Sequence, residues 1–434
     1  MPVRPVKTAP GLAPDSAADI RDTVQIMLAR LRAEGAPAAL DYAARLDRWT
    51  APVVVPPEAV ARAAATVPED LKAALDYAHD NIRAFATAQR ASLQDMEVEL
   101  RPGLLAGQRC LPVQAAGCYV PGGRYAHIAS ALMTIATARA AGVDHVTACA
   151  PPRDAGGIHP ATLYAMQLAG ADTILCLGGV QGVAAMAFGL FHTPPADVLA
   201  GPGNAYVAEA KRQLFGPLGI DMFAGPTDVL ILADASADPE LVSLDLVGQA
   251  EHGANSPCWL VTDHAPLAEA VARRVPELAA TLPAENAAAA RAAWDALGEI
   301  LLCDTRDEMR ATADRYAPEH LQVMCRDLDW WRDSLCNYGS LFLGPQTTVA
   351  FGDKASGPNH VLPTSGAARY TGGLSVHKFL KTVTWQRASD AALPELAQAS
   401  AVISRAEGMV GHALTAEARL FQATPRARAA NDRS

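Results

Sequence analysis

The chain lacks paired cysteines: Cys110, Cys118, Cys149, Cys176, Cys258, Cys303, Cys325 and Cys336 are scattered, with no CxxC among them. In a chain of this size that scatter excludes a disulfide framework or a zinc knuckle and fits small buried apolar residues in a reducing compartment. It also lacks any run of Lys or Arg, and 36 basic against 46 acidic residues give a formal net charge of −10. Nucleic acid is therefore not an expected partner. No apolar run approaches the roughly 20 residues that cross a bilayer, and the opening MPVRPVKTAPGLAPD lacks the apolar core of a signal peptide. These absences predict a cytoplasmic protein without a membrane partner.

What is present is an α/β pattern. At 434 residues, half of them hydrophobic and with 32 Gly and 31 Pro, the chain exceeds one core and is rich in tight strand-to-helix turns. After a Pro-rich extension, residues 1–19, Asp15 and Ser16 offer N-caps for a helix with Ile20, Val24, Met27, Leu28 and Leu31 at helical spacing. Further helical patterns through Leu40, Tyr42 and Leu46 and over 71–89 complete a helical lead-in. From Cys110, strand LPVQAAGCYV opens four strand–helix alternations, which predict a parallel sheet with crossover helices and ligands at the carboxyl ends of its strands. A second strand–helix series begins with VLILAD and runs to Leu343. The expected fold is two Rossmann-like parallel-sheet domains. One is discontinuous (20–118 with 233–374), the other is inserted (119–232), and a helical tail (375–434) follows.

The turns VPGGRYAH, LGGVQG, AGPGNAY and AGPTD let the backbone approach an anionic ligand at helix N-termini. The usual dinucleotide fingerprint is absent, however. Gly178, Gly179 and Gly182 read GGxxG, and Asp197 opens a strand instead of ending one, where a ribose-binding acid belongs.

Gln249 and His252 are spaced three apart near a helix end, so on a continuous helix both leave one face. They could serve as capping groups or as metal ligands. Glu251 between them points elsewhere. Further acid and imidazole clusters stand at Glu319-His320, at Asp353 with His360 in a long Gly-rich segment, and at Glu407 with His412 in the tail.

With CYVPGG, LGGVQG, GPGNAYVAEAKRQL, DMFAGPTDVLILAD, QAEHGANSP, YAPEHL, GDKASGPNHVLPT and EGMVGH in this order, the chain resembles the histidinol dehydrogenase family from about residue 20 to 425. The resemblance implies a zinc- and NAD-dependent homodimer that oxidises a primary alcohol to an acid in two hydride transfers, with shared active sites and a tail that swaps across the dimer. It implies Gln249, His252, Asp353 and His412 as zinc ligands, His412 coming from the partner's tail, and Glu319 and His320 as the acid/base pair. Tyr119, Gln181 and Asn204 correspond to NAD contacts, and Thr227, His360 and Glu407 to substrate contacts alongside the zinc ligands and His320.

Departures bear on the substrate. Lys354 stands where histidine-making relatives carry an aromatic residue and Pro358 where they carry Thr, while GAARYTGGLSVHKFLKTVTWQ differs through Arg369, His377 and Lys378. In these positions the chain is similar to the branch that oxidises (R)-2,3-dihydroxypropane-1-sulfonate to (R)-3-sulfolactate, the sulfopropanediol 3-dehydrogenases. An added cation at Lys354 or Arg369, or a contact from His360, suits an anionic alcohol better than cationic histidinol. The alternatives are L-histidinol oxidation and a non-catalytic nucleotide-binding protein.

Overall fold

The computed structural model describes residues 3–11, 17–122, 126–223 and 225–431. The N-caps expected at Asp15 and Ser16 lie outside these residues. Contact clustering divides the chain into two units, Met1–Arg90 with Pro112–Phe379 and Ala91–Leu111 with Leu380–Ser434. The larger holds a five-stranded and a six-stranded sheet with their helices, and the smaller holds a three-stranded sheet and two helices where only a helical tail was expected.

In the larger unit, strand β1 (Arg4–Lys7) is followed by helices α1 (Ala17–Glu34), α2 (Ala36–Tyr42), α3 (Pro57–Thr66) and α4 (Glu69–Ala91). A π-helical turn, Ala43–Asp47, follows α2 directly. In the smaller unit, β2 (Met96–Arg101) and β3 (Leu104–Pro112) form an antiparallel hairpin.

Next comes a parallel layer made of β4 (Ala115–Tyr119), α5 (Ile128–Ala141), β5 (His145–Ala150), α6 (Pro160–Leu168), β6 (Thr173–Cys176), α7 (Gly179–Phe188), β7 (Val198–Ala200), α8 (Ala205–Leu214) and β8 (Gly219–Ile220). Its strand order is β6-β5-β4-β7-β8 with every pairing parallel. The order reverses between β4 and β7, which is where such sheets open a ligand crevice. Helix α1 packs on α7 and α8, and its Val24 and Leu31 are fully buried in one cluster with Val183, Leu199 and Val207. Each such side chain contributes roughly 1.5–3 kcal/mol of burial. Helix α1 thus covers the first parallel layer, not the second one with which residues 20–118 were expected to fold.

The single strand expected over LPVQAAGCYV is broken at Val113 and Gln114. Asp197 Oδ2 accepts the backbone N–H groups of Gln114 and Ala115 at 2.9 and 3.0 Å, so this carboxylate is spent on starting β4.

A second layer follows: β9 (Val229–Ala233), α9 (Pro239–Ala250), β10 (Cys258–Thr262), α10 (Ala265–Ala279), α11 (Ala284–Leu297), β11 (Glu299–Leu302), α12 (Arg306–Tyr316), β12 (His320–Met324), α13 (Leu328–Ser334), β13 (Ser340–Leu343) and α14 (Val349–Lys354). The strand order is β1-β11-β10-β9-β12-β13, parallel except for β1. Alternate residues of the fully buried β9 serve opposite cores: Val229, Ile231 and Ala233 face one, Leu230 and Leu232 the other. That is the period-2 rule for a sheet covered on both faces.

The smaller unit adds β14 (Leu380–Ala388) beside β3, then the paired helices α15 (Leu393–Ala406) and α16 (Val410–Asn431). It exposes Met96, Val98, Leu100, Val402, Ile403, Val410 and Leu414. Among the described residues no helix is long and apolar enough to cross a membrane.

Candidate active site

Helix α9 starts where Asp238 caps the Glu240 N–H at 2.8 Å and ends at Ala250 with Glu251 as its cap. His252 therefore lies in the turn beyond the helix, not on a continuous helical face with Gln249. Both residues nevertheless line one cavity of about 620 Å³ together with Asp353, Lys354 and His360. Gln249 is buried and its Nε2 donates to Thr227 Oγ1 at 2.6 Å. His252 Nε2 stands 3.8 Å from Asp353 Oδ2. Burial lowers the pKa of His252 and keeps its ring neutral, with a lone pair available. Glu251 accepts from Asn286 Nδ2 at 2.9 Å.

The acid/base candidates stand on the central strands. His320 opens β12 beside the start of β9, with Val229 as its register partner. These are the amino ends of the strands. Helix α9 runs back across this sheet and delivers Gln249 to the same amino edge.

His320 Nδ1 lies 2.8 Å from the carbonyl oxygen of Asp228. A carbonyl can only accept, so Nδ1 carries the proton and Nε2 is the free base in the neutral ring. That Nε2 is buried without a hydrogen-bond partner among the described residues, 3.7 Å from Asp353 Oδ1. Burial alone would lower the pKa of His320, but Glu319 and Asp353 outweigh it and raise it to about 9.

Glu319 is locked to Asp228 by a reciprocal pair. Glu319 Oε2 accepts the Asp228 N–H at 3.1 Å, and Asp228 Oδ1 accepts the Glu319 N–H at 2.7 Å. Burial raises Glu319 to about 7, with His320 opposing and Asp228 adding to the rise, and burial likewise raises Asp228 to about 6. A carboxyl group that titrates near neutrality can both hold and release a proton at working pH.

His360 is fixed between layers. Its Nδ1 donates to the Asp353 carbonyl at 2.8 Å, so Nε2 accepts from Ser130 Oγ at 3.0 Å. Burial depresses its pKa. Sequence reasoning missed three supports of this site. His127 lines the cavity and is depressed to about 4, first by burial and then by His360, His252 and Lys354; its position at the end of a Gly-rich turn was the available signal. Ser130 had none. Asp245, one turn before Gln249, accepts from Gln322 Nε2 at 2.6 Å and Thr348 Oγ1 at 2.9 Å, tying α9, β12 and the start of α14 together.

Lys354 lines the cavity with an exposed side chain, its Nζ 3.8 Å from Asp353 Oδ2. Arg369 does not line it: its guanidinium donates to the carbonyl oxygens of Gly366 at 3.1 Å and of Arg315. Glu407 and His412 belong to the smaller unit, both exposed, Glu407 capping α15 and His412 in the first turn of α16. Among the described residues no three His, Cys, Asp or Glu side chains gather as a metal cluster.

The nucleotide candidates sit on the first parallel layer. Tyr119 ends β4, and its hydroxyl accepts the Gly179 N–H at 3.0 Å. Asn204 follows β7 across the reversal point and caps α8, its Oδ1 accepting from Tyr206 and Val207 N–H at 3.1 Å. Between these segments Gly201, at φ 120°, lies so close to β4 that a Cβ would come 2.0 Å from the Tyr119 carbonyl oxygen. Only glycine fits there. The loop is pinned by Lys211, which donates to the Gly201 carbonyl at 2.9 Å and pairs with buried Asp221. Gln181 Nε2 donates to Asp47 at 2.9 Å, while its Oε1 is buried without a partner among the described residues.

The histidinol dehydrogenase family model matches residues 13–420. A histidinol dehydrogenase homolog of Ruegeria pomeroyi is 69% identical over 425 residues, covering 98% of both chains. A sulfopropanediol 3-dehydrogenase of the same organism is 57% identical, again covering 98% of each. The crystal structure of histidinol dehydrogenase from Elizabethkingia anophelis aligns with a TM-score of 0.88 at 32% identity, covering 96% of this chain and 94% of that one. The Nδ1-anchored His320, the carboxyl pair behind it and the two parallel layers thus belong to an oxidoreductase fold with solved relatives, and the chain is a member of the histidinol dehydrogenase family.

Proposed function

We propose that the chain oxidises (R)-2,3-dihydroxypropane-1-sulfonate to (R)-3-sulfolactate with NAD, by two hydride transfers through an enzyme-held aldehyde, in the cytoplasm. The observation that carries the substrate reading is Lys354, a cation lining the same cavity as Gln249, His252 and Asp353. A sulfonate gains from a nearby ammonium, whereas histidinol brings a second cation and is repelled. The 57% identical relative named for sulfopropanediol supports the same choice.

The donor set fits zinc: a buried amide, a neutral imidazole and a carboxylate share the cavity, and the C-terminal end of α9 favours positive charge. Gln249, His252 and Asp353 would hold it, with His412 of the partner subunit as fourth donor. NAD would lie against Tyr119, Gln181 and Asn204, where Gln181 Oε1 has no donor among the described residues. When bound, these groups supply a Lewis acid for the alcohol oxygen and a hydride acceptor.

The chain's own residues then move the protons. In its neutral form, which its raised pKa makes more populated as pH rises, His320 takes the alcohol proton at Nε2, since Nδ1–H is committed to Asp228. The carboxylates of Glu319 and Asp353 favour the resulting imidazolium. Glu319 accepts a proton from the water that adds to the aldehyde, and His320 acts again in the second oxidation. Thr227 and His360 contact the substrate together with Glu407 of the partner subunit, and Lys354 pairs with its sulfonate. The exposed apolar residues of α15 and α16 would pack in the homodimer that brings His412 across.

An NADH-production assay with zinc restored after chelation tests this reading. Sulfopropanediol should be turned over and histidinol poorly, and Lys354→Ala should raise the sulfopropanediol KM about three- to tenfold with kcat little changed. Preferential turnover of histidinol, or an unchanged KM in Lys354→Ala, would overturn the substrate assignment.

A further inference from the structure

We infer that Asp47, the last residue of the π-helical turn, is the acid that selects NAD over NADP; the inference rests on the NAD reading above. Asp47 stands at the carboxyl ends of β5 and β6. Its Oδ2 accepts the Gly178 N–H and Gln181 Nε2, both at 2.9 Å. A Cβ on Gly178 would come 2.7 Å from Asp47 Oδ1 and 2.8 Å from Pro151, the residue that follows β5.

The order β6-β5-β4-β7-β8 makes β4, β5 and β6 the first three strands of a mononucleotide-binding half. In that half the ribose-binding acid projects from the end of the second strand, here β5. The acid that follows β5 in sequence is Asp154, whose Oδ1 accepts the Gly156 N–H at 2.7 Å within its own turn, and Asp197 is committed to the start of β4. Asp47 arrives at that place from the N-terminal lead-in, about a hundred residues away in the chain.

The second observation is Gln181. It is 1% exposed, and because its Nε2 is held by a carboxylate, its amide orientation is fixed with Oε1 outward from Asp47. That oxygen is buried without a partner among the described residues, 3.4 Å from where a Cβ on Gly179 would lie. Asp47 Oδ1 likewise accepts no hydrogen bond among the described residues. The Asp47 carboxylate and the Gln181 amide oxygen thus both lie against the Gly178–Gly179 turn at the start of α7. A ribose diol can donate to both. A 2′-phosphate offers only acceptors at neutral pH and meets a carboxylate that already offsets the positive end of the helix.

Full-length protein is titrated with NADH and with NADPH, following nicotinamide fluorescence, in wild type, Asp47→Asn and Asp47→Ser. No alcohol is needed, so the result is independent of which one is oxidised. Wild type should bind NADH far more tightly, and both variants should narrow the NADH:NADPH affinity ratio by about tenfold or more. Asp47→Asn keeps the side-chain shape, and Asp47→Ser provides a second fold-compatible change. An unchanged ratio in both variants overturns the assignment of Asp47 while leaving NAD binding intact. Failure of wild type to bind either dinucleotide overturns this inference and the NAD reading together.

Discussion

Lys211→Met removes one member of a buried ion pair while keeping most of the apolar stem. The side chains of Lys211 and Asp221 are 4% and 0% exposed, so the variant leaves the Asp221 carboxylate buried without its cation. Breaking such a pair costs about 3–5 kcal/mol. Two backbone donors remain on Asp221, the N–H groups of Gly201 and Met222, each at 2.7 Å. Charge-assisted bonds of this kind partly compensate, which moves the expected loss toward the low end, about 3 kcal/mol. Urea unfolding followed by tryptophan fluorescence measures it. Lys211→Met with Asp221→Asn removes both charges and should recover most of the loss. The Gly201 carbonyl also loses its 2.9 Å donor, so the Asn204 loop loosens and NADH affinity falls in the single variant. A loss below about 1 kcal/mol, or a double variant no more stable than Lys211→Met, would refute the claim that this pair clamps the Asn204 loop.

Two further outcomes follow from the acid/base site and the tail. His320 is raised from 6.5 to about 9 by Glu319 and Asp353 against its burial, so its contribution to stability is present below pH 6.5 and lost as pH rises through about 9. Glu319→Gln removes the first of these carboxylates, and the alkaline loss of stability and the rising limb of kcat against pH should both move to lower pH; limbs that stay in place would contradict the pairing. A chain truncated before Leu393 should lose both bound zinc and turnover, as metal analysis and NADH production would register. Retained zinc in that truncation would sink the shared site.

The two parallel layers were legible because buried strands and Gly-rich turns leave a period in the chain, and β9 at Val229–Ala233 coincides with VLILAD. The cavity residues Asp353 and Lys354 were legible because the pair stands in a recognisable segment. Three kinds of information were not. The end of α9 at Ala250 depends on a local turn, so the spacing of Gln249 and His252 suggested a shared helical face that the backbone does not make. Arg369 looked like a free cation, but two carbonyl oxygens hold it, and carbonyl partners leave no trace in sequence. Asp47 and Asp245 act through contacts 131 and 77 residues apart, and no local pattern marks them.

Helix direction explains why the cavity takes the form it does. A crossover helix between parallel strands must run antiparallel to them, so its C-terminus emerges at the amino edge of the sheet. In the six-stranded sheet α9 therefore ends beside the starts of β9 and β12, bringing Gln249 and His252 to Glu319 and His320. In the five-stranded sheet the opposite edge is used: α5 begins after β4, and His127 and Ser130 at its start line the same cavity. The negative end of one helix and the positive end of another thus border a single space. Asp353 and Lys354, adjacent in the last turn of α14, repeat that polarity in side chains. On the proposed reading, a substrate anionic at one end with its reacting oxygen held by the metal at the other would turn its anion toward Lys354. A cationic amino alcohol would set its charge against Lys354, and that is the physical ground for expecting the sulfonate.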